Sequence, residues 1–180
     1  MSDAADWTRG YIHVYTGDGK GKTTAALGLA LRAAGAGLRV FIAQFVKGMR
    51  YSEIAALERL SGLVTVRQYG RSCFIRRTPE DEDVAAARAG LDELRRMFDR
   101  GGDGYRLFIL DEANIATHFG LFSADELLDL MDRKPRDAEL VITGRKADPR
   151  VLGRADLVTE MYEVKHYYTR GVEARTGIEC

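Results

Sequence analysis

The nine residues 16–24, TGDGKGKTT, constrain the fold of this chain more than any other stretch. They follow YIHVYT (11–16), a β-branched and aromatic run, and lead into a segment with helical character. A phosphate-binding loop has the pattern G-x-x-x-x-G-K-[ST] between a strand and a helix. Thr16 stands where the first glycine of that pattern belongs, and three residues match its end: Gly21, Lys22 and Thr23. This context predicts a strand, an anion-binding loop and a helix in direct succession.

The chemistry of such a loop explains its composition. Glycines let successive backbone N–H groups turn toward phosphate oxygens, while the following helix presents the positive end of its dipole. Lys22 is predicted to neutralise phosphate charge, and the Thr23 hydroxyl to bind Mg²⁺. Asp18 adds a carboxylate among groups that attract anions, which Lys20, Lys22 or loop N–H groups would offset. The competing interpretation is a glycine-rich turn with exposed lysines.

Strand-like and helix-like segments alternate along the rest of the chain. Runs rich in β-branched or aromatic residues lie at 11–16, 39–46, 63–69, 105–112, 138–144 and 155–164. Segments with helical character lie at 21–36, 52–60, 79–100 and 123–133. Alternation of this kind predicts an α/β fold: a three-layer α/β/α arrangement with a mostly parallel sheet of about six strands. We expect residues 1–10 to form an N-terminal arm or lid and residues 11–180 a single domain.

One helix boundary carries its own signal. Thr78 is predicted to be the N-cap of the helix over residues 79–100, with Pro79 in its first turn. The acidic residues that follow favour the positive end of the helix dipole and are interpreted as structural.

Two carboxylates stand at the end of a strongly apolar run, RLFILDE. Asp111 and Glu112 are in the position of an acid that holds a metal ion directly or through water. Together with the loop they indicate Mg²⁺ on a nucleoside triphosphate. Arg145, in TGRKADP, follows another predicted strand and could reach phosphate. No general base can be assigned from the residues, so at this point a kinase or an ATPase remains open.

Charge and cysteine content exclude other classes. Lys plus Arg and Asp plus Glu both number 27, so no global field favours nucleic acid or an anionic membrane. Two cysteines, Cys73 and Cys180, form no CxxC spacing, which argues against a disulfide framework or a zinc site. The start of the sequence has no basic segment followed by an apolar core, and no run approaches the ~18 apolar residues of a membrane span. We therefore expect a cytoplasmic location.

Five stretches together resemble the P-loop type of ATP:corrinoid adenosyltransferase: VYTGDGKGKTTAALGLALRAAG, QFVKG, ILDEAN, VITGR and DLVTEMYEVKHYYTRGVEARTGIE. The resemblance runs from about Tyr11 to Glu179. It rests mainly on two features that this family combines, the shortened loop GxGKGKTT and the C-terminal ending. It implies a P-loop NTPase-like fold.

The resemblance also implies a reaction. Co(I) of a corrinoid attacks C5′ of ATP, so that the 5′-deoxyadenosyl group is transferred and triphosphate is released, in adenosylcobalamin biosynthesis or salvage. ATP and the corrinoid would be substrates, with Mg²⁺ as the metal and Mn²⁺ as an alternative. The family further suggests a homodimer, and it leaves open a flavoprotein reductase as the source of the electron.

The family's site residues are carried over onto matching positions. Lys22 and Glu112 are implied to be catalytic, and Thr23, Asp111 and Glu112 to be near the metal. The implied nucleotide- and corrinoid-binding residues are Gly17, Asp18, Gly19, Lys20, Gly21, Lys22, Thr23, Thr24, Gln44, Lys47, Phe74 and Arg145. His166, in VKHYY, matches as well, but a lone histidine after a strand is interpreted as structural.

The stretch GRSCFIRRT (70–78) departs from the family, whose better-known members carry a GFTW-like sequence at the corrinoid face. Here Phe74 is the aromatic that remains, and Trp7 lies in the N-terminal segment. A non-catalytic nucleotide-binding regulator therefore stands as a third hypothesis, beside adenosyl transfer and an ATP-dependent kinase or ATPase.

Overall fold

The computed structural model describes residues 7–48, 51–71 and 78–179. Six strands and six α-helices alternate along the chain. The strands are β1 (Ile12–Thr16), β2 (Val40–Phe45), β3 (Val64–Tyr69), β4 (Leu107–Asp111), β5 (Glu139–Thr143) and β6 (Leu157–Glu160). The helices are α1 (Lys22–Gly35), α2 (Ser52–Glu58), α3 (Asp81–Asp99), α4 (Ala113–His118), α5 (Ala124–Arg133) and α6 (Pro149–Arg154), with 3₁₀ turns at Gly102–Gly104 and Tyr167–Arg170.

The strands form one sheet in the order β3-β2-β4-β5-β1-β6. Every pairing between these strands is parallel, which confirms the predicted α/β sheet. Since parallel strands end at the same edge of a sheet, the loop after β1 and the carboxylates after β4 share the carboxyl edge. Strand β5 alone separates β1 from β4. The topology therefore brings together two motifs that lie almost ninety residues apart.

Both faces of the sheet are covered, as the three-layer prediction requires. Helix α1 buries four alanines against one face: Ala26, Ala30, Ala33 and Ala34. Their small side chains let this helix lie close to β2, β4 and β5, so the first turn of α1 stays near the strand ends. Helices α3 and α5 cover the opposite face with larger side chains, among them Leu91, Leu94, Leu127 and Leu130. Strand β4 is buried at every position.

The predicted N-cap of α3 is wrong. Glu80, not Thr78, caps this helix, and its backbone N–H donates to Asp83 Oδ2 at 2.9 Å while the Glu80 side chain accepts from the Asp83 backbone. This reciprocal capping box satisfies two N–H groups that the helix cannot pair internally, which a single threonine side chain would not do. Pro79 accordingly lies before the helix rather than inside its first turn.

Strand β6 is shorter than the predicted run 155–164. It pairs only with β1, and the last such contact is the hydrogen bond from Met161 N to Thr16 O at 2.8 Å. Beyond Thr16 the chain turns into the phosphate loop, so residues after Met161 have no strand beside them.

The described part of the N-terminal segment lies at the opposite, amino edge of the sheet. Trp7 Nε1 donates to Asp137 O at 3.0 Å, and Arg106 packs over the Trp7 ring at 5.2 Å. Asp137 lies two residues before β5, and Arg106 lies directly before β4. Residues 1–6 lie outside the described residues, and the division into an arm and a single domain stays a prediction.

Candidate nucleotide site

The loop between β1 and α1 depends on glycine at two kinds of position. Gly17 and Gly21 have φ values of 89° and 112°, a left-handed region that side chains with a Cβ disfavour. Gly17 and Gly19 also lie against the chain that leaves β6. A Cβ on Gly17 would lie 2.4 Å from the Met161 carbonyl oxygen, and one on Gly19 would lie 2.8 Å from it. The Gly19 N–H donates to this oxygen at 2.7 Å.

Lys22 points its ammonium into the loop. Although it is a lysine, it is only 7% exposed, and its Nζ donates to Gly17 O at 2.7 Å and to Gly19 O at 2.6 Å. Burial lowers the pKa of Lys22, and the positive charge of Arg145 lowers it further. The ammonium is therefore held inside the loop by two backbone carbonyl groups.

Asp111 is the centre of a hydrogen-bond network at the carboxyl edge. It is fully buried at the end of β4. Its Oδ1 accepts from Thr23 Oγ1 at 2.8 Å and from Thr143 Oγ1 at 2.7 Å. Its Oδ2 accepts from Lys47 Nζ at 2.8 Å and from Gln44 Nε2 at 3.3 Å. The first turn of α1 is thereby tied to the ends of three neighbouring strands.

Lys47 is the counter-charge of this carboxylate. Its Nζ also lies 3.2 Å from Thr23 Oγ1 and 3.9 Å from Glu112 Oε1. Burial by itself would lower the pKa of Lys47, but the charge of Asp111 and its hydrogen bond outweigh burial, so the pKa is raised. Lys47 therefore remains charged and places a second cation beside the loop.

Glu112 adopts a left-handed conformation, with φ 61°, at the junction between β4 and α4. Its backbone N–H donates to Thr143 Oγ1 at 3.0 Å, which holds this unusual geometry. Non-glycine residues in this region carry strain of about 1–3 kcal/mol and cluster at functional sites. Burial raises the pKa of the Glu112 carboxyl, and the charge of Asp111 raises it further.

The structure gathers some of the predicted site residues and leaves others apart. The structure brings six of them together at the carboxyl edge: Lys22, Thr23, Gln44, Lys47, Asp111 and Glu112. Arg145 is exposed, yet its charge acts on both Lys22 and Glu112. Asp18 and Thr24 are exposed, and Asp18 makes no hydrogen bond or ion pair with any described residue. Lys20 turns outward to Glu179, and Phe74 lies outside the described residues.

His166 serves the local chain, in agreement with its structural interpretation. Its Nδ1 accepts from the Tyr168 backbone N–H at 3.0 Å and caps the 3₁₀ turn at Tyr167–Arg170.

Sequence reasoning missed several residues of the site. Thr143 bridges Asp111 and the Glu112 backbone, and Gln68 donates to Gln44 at 3.1 Å. Asn114 donates to Gly144 O at 3.1 Å, and its Oδ1 is buried without a hydrogen-bond partner among the described residues. The sequence signal for Thr143 was a polar threonine at the end of the apolar strand in VITGR. This strand, β5, lies between β1, which leads into the loop, and β4, which ends in the two carboxylates.

The donor set at this edge fits Mg²⁺ bound together with a nucleotide. Thr23 contributes a hydroxyl, and Asp111 and Glu112 contribute two carboxylates. Within the described ranges no group of three or more His, Cys, Asp or Glu side chains is placed to hold a metal by itself. Mg²⁺ suits such a site because it is usually held by one or two carboxylates, waters and substrate phosphates rather than by a full protein cage.

A strand, a glycine-rich loop with an inward lysine, a helix and a buried acid at a neighbouring strand end define a phosphate-binding-loop nucleotide protein of the α/β class. The chain belongs to one family within that class. Residues 8–180 match the family model described as ATP:corrinoid adenosyltransferase BtuR/CobO/CobP. The family indicated by the loop and the C-terminal ending is therefore confirmed.

Curated relatives agree with this family. A corrinoid adenosyltransferase of Pseudomonas aeruginosa is 34% identical over 172 residues, which cover 95% of this chain and 84% of that protein. The corrinoid adenosyltransferase CobA of Salmonella typhimurium is also 34% identical over 172 residues, covering 95% of this chain and 86% of that protein.

A solved structure supports the fold alone. A KaiC-like protein of Pyrococcus horikoshii superposes with a TM-score of 0.56 at 17% identity, covering 84% of this chain and 73% of that one. In the part of the chain that the structure describes, no helix is both long and apolar enough to span a bilayer.

Proposed function

We propose that this protein is an ATP:corrinoid adenosyltransferase that transfers the 5′-deoxyadenosyl group of ATP to Co(I) of a corrinoid. The observation that carries the proposal is the family match over residues 8–180 in a chain whose carboxyl edge gathers cations and a buried acid around a phosphate loop. The reducing cytoplasm is the location that we propose.

In the proposed reaction the electron pair of Co(I) attacks C5′ of ATP. The cobalt–carbon bond forms, the bond between C5′ and its phosphate oxygen breaks, and triphosphate leaves with that electron pair. Because the nucleophile carries no proton, no general base is needed. The protein has to orient C5′ toward cobalt and stabilise a leaving group of high negative charge.

The charged groups at the loop match this task. Lys22 and the loop N–H groups would bind the triphosphate, with Lys47 and Arg145 adding positive charge nearby. Thr23, Asp111 and Glu112 would hold Mg²⁺, with Mn²⁺ as an alternative, and the bound ion would neutralise part of the phosphate charge. Glu112 would bind from a backbone already fixed by its bond to Thr143.

The corrinoid is proposed to bind beside β2 and β3, next to Lys47. The chain that follows these two strands packs backbone against backbone. A Cβ on Gly70 would lie 2.5 Å from Lys47 N, and one on Gly48 would lie 2.4 Å from backbone atoms just before residues 72–77. The described chain thus passes beside the nucleotide site at Gly70 and Arg71. Phe74 is proposed to contact the corrinoid, and it lies outside the described residues. A flavoprotein reductase is the class of electron donor that we propose.

We also propose a homodimer that forms through β6. This strand lies at the edge of the sheet, and all four of its residues are exposed. Leu157 and Val158 are 43% and 45% exposed, while Tyr162 and Val164 are 82% and 87% exposed. An uncovered apolar edge strand is a surface that a second strand can pair with, and a second copy would bury these side chains.

The decisive test is an anaerobic assay with ATP, Mg²⁺ and chemically reduced cobalamin. We expect a light-sensitive cobalt–carbon product and triphosphate in equal amounts. Release of ADP without corrinoid would indicate a kinase or an ATPase. ATP binding with no product under these conditions would indicate a nucleotide-binding regulator.

A further inference from the structure

The two lysines of the phosphate loop point in opposite directions. Lys22 is buried and donates to loop carbonyls. Lys20 is exposed, and its Nζ lies 3.0 Å from Glu179 Oε1 and 3.3 Å from the Tyr167 hydroxyl. The partners of Lys20 lie 147 and 159 residues further along the chain. The loop is therefore attached to the C-terminal segment, residues 161–179.

One carboxylate organises this attachment. Glu179 Oε1 also accepts from the Tyr167 hydroxyl, and its Oε2 accepts from the Arg175 backbone N–H at 2.8 Å. The Lys20 ammonium and the Arg175 guanidinium lie 5.6 and 5.1 Å from the Tyr167 ring centroid. The Glu179 side chain is only 13% exposed, although most residues around it are exposed. Glu179 thus joins the loop, the 3₁₀ turn and the chain end.

The segment has a second attachment at its start. Gly19 N donates to Met161 O at 2.7 Å, and Met161 N donates to Thr16 O at 2.8 Å. The C-terminal segment therefore contacts residues 16–20 at both its start, through Met161, and its end, through Glu179. A Lys20 side chain directed at phosphate would have to leave Glu179 and open one of these attachments.

We infer that Glu179 is a positioning residue for the phosphate loop, and that Lys20 acts through Glu179 rather than by binding the triphosphate. The pair holds the C-terminal segment against the loop and so fixes the backbone conformation of residues 17–21 that receives the anion. This inference deepens the proposed function. It rests on that function in one respect, namely that the bound anion is the triphosphate of ATP.

A double-mutant cycle on Mg·ATP binding tests the inference. Lys20→Ala, Glu179→Gln and the double variant are measured by calorimetry without corrinoid, so the result does not depend on adenosyl transfer. We expect each single variant to weaken binding about two- to fivefold, the scale of an exposed ion pair that orders a loop. The double variant should bind Mg·ATP as well as the single variant that binds less tightly, because both substitutions remove the same interaction.

Two controls accompany the cycle. Glu173→Gln removes an exposed acid of the same segment that makes no contact with Lys20, and it should leave the Kd unchanged. Glu179→Asp keeps the charge and should recover part of the affinity. In steady-state assays the KM for ATP should rise in Lys20→Ala and Glu179→Gln while kcat stays near that of the unaltered protein.

Hydrogen exchange gives the structural readout. Glu179→Gln should speed exchange of the amides of residues 17–21 and 161–179 in the ATP-free protein, while those of β4 stay protected. The inference is overturned if Lys20→Ala weakens binding far more than Glu179→Gln and the two effects multiply, since Lys20 then contacts phosphate directly. An unchanged Kd and unchanged exchange in Glu179→Gln would also overturn it.

Discussion

Thr143 is a small side chain whose replacement should disturb the whole site. Its hydroxyl donates to Asp111 Oδ1 at 2.7 Å and accepts from the Glu112 N–H at 3.0 Å. Thr143 and Asp111 are both fully buried, so water cannot replace the hydrogen bond between them. Thr143→Val keeps the shape of the side chain and removes both hydrogen bonds, whereas Thr143→Ser keeps the hydroxyl.

The magnitude follows from the two bonds. Losing a hydrogen bond to a charged group costs about 1.5–3 kcal/mol, and leaving a buried N–H unsatisfied costs about 1–3 kcal/mol. Since Val and Thr have nearly the same shape, no cavity term is added. We expect Thr143→Val to lower the free energy of unfolding by about 3–5 kcal/mol. With an m-value of about 2 kcal/mol/M, the urea midpoint should fall by about 2 M.

Urea unfolding of the three proteins, without nucleotide and at neutral pH, is the assay. The free energy of unfolding of Thr143→Ser should lie within about 1 kcal/mol of that of the unaltered protein, because this variant loses only a buried methyl group. If Thr143→Val and Thr143→Ser unfold at the same midpoint, the hydroxyl does not hold Asp111 and Glu112, and the reasoning is refuted. An altered m-value would instead indicate a change in the unfolded or native ensemble.

Three further predictions concern the charged groups and the exposed edge. Lys22→Met should weaken Mg·ATP binding about 100-fold in calorimetry while shifting the free energy of unfolding by only about 1 kcal/mol, because lost hydrogen bonds are offset by relief of a buried charge; a strongly destabilised protein would contradict this. The pKa of Glu112 is raised above its ordinary value of 4.5. Between that ordinary value and the raised one, the folded state binds more protons than the unfolded state, so the free energy of unfolding falls as pH rises. Urea unfolding between pH 4.5 and neutrality should show this contribution. Glu112→Gln should remove the part of the pH dependence that comes from Glu112 and should stabilise the ligand-free protein near neutral pH. If the pH dependence is the same in Glu112→Gln and the unaltered protein, the assignment is refuted. Val158→Lys should convert a dimer to a monomer in sedimentation velocity without changing the unfolding of the monomer, whereas a dimer that persists would place the interface elsewhere.

Much of the fold was predictable from local patterns. The strand-like runs match all six strands, and the four segments with helical character match α1, α2, α3 and α5. Helices α4 and α6 were missed because each has six residues, too few for a periodic pattern, and α4 follows β4 with no loop between them. The cap of α3 was misplaced because two acidic side chains can form a reciprocal box that competes with the usual threonine cap.

The candidate site, too, was predictable only where its residues are neighbours in the sequence. Lys22 and Thr23 are adjacent in one motif, and Asp111 and Glu112 in another, so each pair was recognisable alone. Thr143, Met161 and Glu179 lie in stretches that carry the family resemblance, but their individual roles depend on contacts with residues far away in the chain.

The sequence by itself determined a strand–loop–helix with a phosphate-binding composition, an acid at a strand end and a chain ending typical of one family, because these are properties of neighbouring residues. Tertiary structure alone decided that β5 lies between β1 and β4, that Thr143 bridges the two acidic residues and that one loop lysine faces inward and the other outward. The physical reason is that two identical side chains, two residues apart, differ only in what the folded chain places beside them: buried loop carbonyls for Lys22 and a C-terminal carboxylate for Lys20.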